Sequence, residues 1–184
     1  MTAGTSGMTP GRLIAVVGPS GAGKDSVMTG IREALPGLYP VRRVVTRAPA
    51  QGSEEYDAVS VATFEELSRN GAFALQWGCY GIPITVKHRL DNGTDCLVNL
   101  SRRALSEAAG IFPRFIVLNI TAQPDTLARR LAARGRETDA EISDRLAEAC
   151  KPLPEGLKVI ALSNDGPLSK TVAQAVARLQ PASV

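Results

Sequence analysis

Aromatic residues are scarce in this chain: four phenylalanines, three tyrosines and one tryptophan make up 4% of its 184 residues. A surface that reads nucleic acid combines a dense basic patch with aromatic platforms. No dense basic run is present and the net charge is only +3, which argues against nucleic acid as the main partner. No apolar run approaches the ~20 residues that a membrane-spanning helix needs. Met1 to Gly11 are small and polar, without the apolar stretch of a secretion signal. They are expected to be a disordered leader on a cytoplasmic protein, with residues 12–184 forming a single domain. Histidine is almost missing. The one present, His88, lies outside every motif below and reads as a surface or packing residue. The three cysteines, Cys79, Cys96 and Cys150, show no C-x-x-C spacing and cannot all pair, so reduced structural thiols are expected. There are no repeats and no low-complexity tracts.

What is present is a phosphate cradle. Leu13-Ile14-Ala15-Val16-Val17 is an apolar run that reads as a buried strand. It leads into Gly18-Pro19-Ser20-Gly21-Ala22-Gly23-Lys24-Asp25, and a helix is expected from Ser26 to Leu35. The spacing is G-x-x-x-x-G-K, the P-loop signature. Glycines let backbone N–H groups curl around oxygens without a Cβ in the way. The helix N-terminus adds positive potential and Lys24 a full charge. Asp25 stands where a serine or threonine normally holds magnesium. The arginines come in small groups: Arg42-Arg43 with Arg47, Arg102-Arg103, Arg129-Arg130, Arg134 with Arg136, and Arg145. Scattered groups of this size suit a ligand carrying several phosphates.

Further along, Val41 to Thr46 reads as a strand. Thr63 is placed to cap a helix through Asn70, with Glu66 completing a capping box and Gly71 as the stop. Ala72 to Trp77 reads as a strand, Cys79-Tyr80-Gly81 as a turn, and Pro83 to Leu90 as a helix. Cys96 to Leu100 reads as a buried strand, Arg102 to Ala109 as a helix, and Phe115 to Ile120 as a strand. Pro124 opens a helix with Leu127 and Leu131 on one face, broken by Gly135; Asp139 caps another through Ala149. Leu157 to Leu162 and Leu168 to Leu179 read as the last strand and helix. Strands alternating with helices imply an α/β fold, a parallel sheet covered on both faces.

Gly18 to Lys24 resembles the opening of guanylate kinases and their relatives. Thr46-Arg47-Ala48-Pro49 with Gly52-Ser53-Glu54 resembles the loop with which that family grips the acceptor's phosphate, and Tyr80-Gly81 its tyrosine-glycine turn. Arg129-Arg130-Leu131 through Arg134-Gly135-Arg136 resembles its arginine lid. Arg145 sits where the next helix returns an arginine to the phosphates, and Asn164-Asp165 resembles the loop near the adenine. The likeness runs from about Leu13 to Leu179. It implies a P-loop kinase fold: three α/β/α layers around a mostly parallel sheet, an acceptor-binding region at about residues 42–92, and a lid at about 134–140. The departures point to one branch. Lys24-Asp25-Ser26 replaces lysine-serine-threonine, and Leu97-Val98-Asn99-Leu100-Ser101-Arg102 replaces a strand that carries aspartates. Gln76 stands where a guanine reader has glutamate, and Ala50 replaces a second phosphate-gripping arginine. In these respects the chain is similar to ribose 1,5-bisphosphate phosphokinases, which act in phosphonate breakdown and make 5-phosphoribosyl diphosphate. The stretch between Trp77 and Tyr80 is short even for that branch. The residue chemistry points the same way. A guanine reader needs a carboxylate for the base's N–H donors, and losing such a buried partner costs about 1–3 kcal/mol. Gln76 and Asn99 are neutral amides.

The resemblance implies transfer of the γ-phosphoryl group of ATP, with Mg2+, to the 1-phosphate of ribose 1,5-bisphosphate. Lys24 is then expected to bridge the β- and γ-phosphates, and the Gly18–Ser26 segment to bind ATP together with Asn164. Arg134, Arg136 and Arg145 are expected to close over the transferred group. Arg43 and Arg47 hold the acceptor's phosphates, with Gln76, Tyr80, Asn99 and Ser101 completing that side. Asp25 is the candidate metal ligand, directly or through water, and Ser26 its rival. Three alternatives stay open: a guanylate-type nucleotide kinase, a kinase for another phosphorylated sugar, and a non-catalytic guanylate-kinase-like protein-binding module. Acceptor assays separate the first two from the main reading, and ATP binding separates the third. The oligomeric state is not read from these residues.

Overall fold

The structure, a computed structural model, describes residues 9–46, 56–135, 138, 143–144, 147 and 151–180. Leu13–Val17 (β1) is fully buried at all five positions, as a central strand with both faces covered must be. On one side it pairs in parallel with Cys96–Asn99 (β7), which pairs with the two-residue strand Tyr39–Pro40 (β2). On the other it pairs with Phe115–Thr121 (β8), followed by Val159–Ser163 (β9), again in parallel. The sheet order is β2-β7-β1-β8-β9. The order reverses on either side of β1, which puts the ligand crevice at the carboxyl ends of the strands.

Alternation along the strands sorts the layers. Ile14, Val16, Leu118 and Ile120 face helices Lys24–Ala34 (α1), Pro124–Arg134 (α5) and Leu168–Leu179 (α6), meeting Val27, Ile31, Leu127, Ala175 and Leu179. Leu13, Ala15, Val17 and Val117 face the other way. They meet Val86 and Leu90 of Thr85–Asp91 (α3) and Leu105 and Ala108 of Leu105–Ile111 (α4). Leu75 and Ile82 join that second core from a smaller sheet. It is built from Tyr56–Ala58 (β4), Arg43–Val45 (β3), Tyr80–Pro83 (β6) and Phe73–Trp77 (β5), in that order. Its outer face is covered by Val61–Arg69 (α2), where Phe64 meets the Phe73 ring at 4.8 Å.

The expected α/β class and parallel sheet are both found. The differences are local. The strand expected at Val41 to Thr46 is shorter, Arg43–Val45 (β3) in the small sheet, and an unexpected two-residue strand, β2, precedes it in the main one. Ser60, not Thr63, caps α2: its Oγ accepts the Thr63 amide at 3.0 Å, so Thr63 is the third helical residue. The turn expected at Cys79 to Gly81 is tighter. Gly78 and Cys79 alone link β5 to β6, Gly78 at φ +52°, and Tyr80 already pairs with Trp77. Pro83 ends that strand, and α3 begins at Thr85. The helix expected from Arg102 opens as a 3-10 turn, Arg102–Ala104, before α4. Of the leader, residues 1–8 lie outside the described residues. Gly11 is buried and its amide bonds Leu90 O at 2.7 Å, while Arg114 bonds Pro10 O. Of the helix expected from Asp139, Ser143, Asp144 and Ala147 are described and helical.

Candidate active site

The Gly18–Asp25 loop rises from the carboxyl end of β1 and turns into α1. Two glycines are obligatory for steric reasons. A Cβ on Gly18 would lie 2.2 Å from Ile120 O, and one on Gly23 would lie 2.5 Å from Asn164 Nδ2. Gly23, at φ +83°, is the residue that caps α1. Lys24 follows as the first helical residue. Its ammonium arches back over the loop, donating to Gly18 O at 2.9 Å and Pro19 O at 3.1 Å. Asp25 and Ser26 occupy the same first turn, where a carboxylate complements the helix dipole.

Behind the loop stands a polar brace. Asn164, 5% exposed, donates from Nδ2 to Ala22 O at 2.8 Å. Its Oδ1 accepts from the hydroxyl of Thr171 at 3.0 Å, which also reaches Ser163 O at 3.0 Å. Arg130 spans the same two segments, donating to Gly21 O at 3.3 Å and to Asn164 O at 2.8 Å. Asp165 fastens the loop to the start of α5 by accepting the Gln123 amide at 2.8 Å. Hydrogen bonds from Ser163 and Gln123 hold its carboxyl below the usual carboxylate range.

Across the cleft, the small sheet turns one face toward the main sheet. Arg43 is buried, and its guanidinium lies 5.0 Å from the centre of the Tyr80 ring. Tyr80 stacks on Trp77 at 5.4 Å and 17°. Val45, which pairs with Tyr80, is fully buried on this face. Among the described residues, Trp77 Nε1 and Asn119 Oδ1 are buried without a hydrogen-bond partner.

The structure thus brings together Gly18 to Ser26 with Asn164 on the nucleotide side, and Arg43 with Tyr80 on the other. Asn99 ends β7 beside Val16, and Ser101, two residues on, caps the 3-10 turn by accepting the Arg103 amide at 3.4 Å. Gln76 is not with them. It points to the α2 face of the small sheet, where its Oε1 accepts from Ser68 Oγ at 2.6 Å. Arg134 is the last residue of α5, ended by Gly135 at φ +61°. The Arg134 side chain, Arg47, Arg136, Arg145 and the loop at 47–55 lie outside the described residues, as does most of the expected lid. His88 is exposed on α3. Sequence reasoning missed Thr171, Trp77 and the bracing role of Arg130. Thr171 had a signal: it heads the stripe Thr171, Ala175, Leu179, buried at a helical spacing.

No family model matches the chain. It is 47% identical over 175 residues to the ribose 1,5-bisphosphate phosphokinase PhnN of Ruegeria sp. (strain TM1040), covering 92% of each chain. It is 43% identical over 170 residues to the protein of that name from Pseudomonas paraeruginosa, covering 88% of this chain and 91% of that one. Among solved structures it is similar to guanylate kinase from Anaplasma phagocytophilum, with a TM-score of 0.68 at 18% identity, covering 93% of this chain and 85% of that one. At that identity the likeness concerns the fold.

Proposed function

The chain belongs to the family of ribose 1,5-bisphosphate phosphokinases, and from that premise we propose that it moves the γ-phosphoryl group of ATP to the 1-phosphate of ribose 1,5-bisphosphate. The products are 5-phosphoribosyl 1-diphosphate and ADP, and the setting is phosphonate breakdown in the cytoplasm. The observation that carries this reading is the cradle itself: a glycine loop braced from behind, with the Lys24 ammonium folded over it.

A phosphate's second pKa is about 6, so the acceptor arrives already dianionic at neutral pH. No side chain has to take its proton, which agrees with a site whose described residues include no histidine. The barrier is repulsion between two anions, and catalysis is positioning plus neutralisation. Lys24 exchanges its bonds to Gly18 O and Pro19 O for β- and γ-phosphate oxygens. Amides of the Gly18–Ser26 segment hold the β-phosphate. Arg134, Arg136 and Arg145 neutralise the group in flight, and Arg43 and Arg47 hold the acceptor's phosphates. Tyr80, Asn99 and Ser101 supply hydroxyl and amide partners for the sugar. Gln76, directed to α2, supports this side from outside rather than reading a base.

Asp25 and Ser26 offer hard oxygen donors that suit Mg2+. Such a cation is typically held by one or two protein oxygens together with substrate phosphates and water. When bound, magnesium supplies further neutralisation of the transferring phosphoryl group.

A coupled assay at fixed ATP and Mg2+ tests the reading. ADP should appear with ribose 1,5-bisphosphate and not with GMP. ADP release with GMP alone would overturn the acceptor assignment.

A further inference from the structure

We propose that Thr171, on the last helix and outside the phosphate cradle, is a positioning residue for the nucleotide's phosphates, acting through Asn164. The inference rests on the kinase reading above and adds to it a residue that touches no substrate.

The argument begins with peptide geometry. In a trans peptide unit the C=O and the following N–H point in opposite directions. A carbonyl oxygen pinned on the outside of the loop therefore aims the next amide inward. Asn164 Nδ2 pins Ala22 O at 2.8 Å, which orients the amide of Gly23. Gly23 has no Cβ and sits at φ +83°, so its own preferences do little to hold that plane. The glycine is also what admits the brace, because a Cβ there would occupy the space of Asn164 Nδ2.

Asn164 must itself be held. An amide side chain can flip end for end, which would bring its oxygen against Ala22 O. The Thr171 hydroxyl lies 3.0 Å from both Asn164 Oδ1 and Ser163 O and shares its one proton between them; together with the demand of Ala22 O for a donor, it favours the orientation with Nδ2 toward the loop. Thr171 is 2% exposed and Asn164 5%, so water does not readily replace either bond. Arg130 adds a second strut, from Gly21 O to Asn164 O. The path Thr171, Asn164, Ala22 thus joins the last helix, α6, to the loop that follows the first strand.

The test compares Thr171→Val, which keeps the shape and removes the hydroxyl, with Thr171→Ser, which keeps the hydroxyl. Binding of a fluorescent ATP analogue to the full chain is titrated, and KM is measured for ATP and for ribose 1,5-bisphosphate. A net hydrogen bond of about 1.4 kcal/mol corresponds to tenfold in affinity. Thr171→Val should weaken ATP about tenfold and leave the acceptor KM within twofold; Thr171→Ser should bind ATP within about twofold of the unaltered chain. If Thr171→Val does not fold, Thr171→Ala serves as the hydroxyl-free variant. The proposal is overturned if the hydroxyl-free variant binds ATP normally. It is equally overturned if Thr171→Ser is as weak as that variant, or if both KM values rise together. The ATP titration needs no acceptor, so a wrong acceptor leaves it readable. Failure of the unaltered chain to bind ATP would overturn the kinase reading and this inference alike.

Discussion

Lys24 donates to two carbonyl oxygens of its own loop, so its ammonium is already held over the cradle that phosphate oxygens would enter. Removing the ammonium should therefore disturb chemistry far more than folding. Lys24→Ala is expected to lower turnover by several hundredfold, since one such contact in a dry site is worth about 3–4 kcal/mol. A circular dichroism spectrum and melting curve close to the unaltered chain should accompany the loss; near-normal turnover would remove Lys24 from the mechanism. Asp25 is a different case. It lies in the first turn of α1, where the dipole alone favours a carboxylate. Its proposed role as metal ligand predicts that Asp25→Ala raises the magnesium concentration needed for half-maximal rate. An unchanged magnesium titration would leave it a helix-start residue. These two side chains were legible because the P-loop spacing names positions. Asn164 was legible only in part. Its resemblance to the loop near the adenine placed it beside the P-loop, where the structure also has it, but sequence does not tell whether a polar side chain turns to a ligand or to buried backbone. Here the amide group goes to Ala22 O and Thr171.

At the scale of elements, the hairpin of β5 and β6 carries the proposed acceptor side. Its two-residue link places Trp77 directly across from Tyr80, so the stack of Trp77, Tyr80 and Arg43 follows from the short segment between Trp77 and Tyr80. Trp77 is the only tryptophan in the chain, which makes it a built-in probe. Titration with ribose 1,5-bisphosphate should shift or quench its emission, and Arg43→Ala should abolish that change at concentrations saturating for the unaltered chain. Emission that follows ATP and ignores the acceptor would place the acceptor elsewhere. The elements read most accurately from sequence were those with a near-continuous apolar run or a regular helical stripe: β1, β8 and α6. The 39–45 stretch was not. Its β2 and β3 are two and three residues long and belong to different sheets, and no period develops over so few positions. Thr63 was misread as a cap because Ser60, three residues earlier, makes an equally good one, and only the helix's true start decides between them.

At the scale of the whole molecule, the two ends of the main sheet carry separate tasks. The site sits at the carboxyl ends, and an ion pair ties the amino ends together. The Arg12 amide donates to Asp95 Oδ1 at 2.6 Å and its Nε to Oδ2 at 2.9 Å. Burial pushes the Asp95 carboxyl up, but the bonds and charge of Arg12, with the charge of Arg114, outweigh it and hold it below its usual value. Next to it, burial pushes the Cys96 thiol up to about 11. The two shifts act on opposite limbs of the stability curve. Asp95, depressed in the folded chain, contributes above the unfolded carboxylate value of about 3.9, and that contribution is lost as pH falls through its folded value. Cys96, raised in the folded chain, contributes below the thiol's ordinary 9.0 and loses its contribution as pH climbs from there to about 11. Melting temperature should therefore be flat near neutrality and fall on both sides. Arg12→Ala should lower it at pH 7 and flatten the acid limb, and Cys96→Ala should flatten the alkaline one. Arg12 and Gly18 are separated by the length of β1, about 20 Å, and sites so far apart act independently in most proteins. At about 25 °C, Arg12→Ala should thus retain the ATP and acceptor KM values of the unaltered chain while melting earlier. A KM shift in that variant would mean that strain at one end of β1 reaches the loop at the other, and that the sheet is not the rigid base on which the cradle stands.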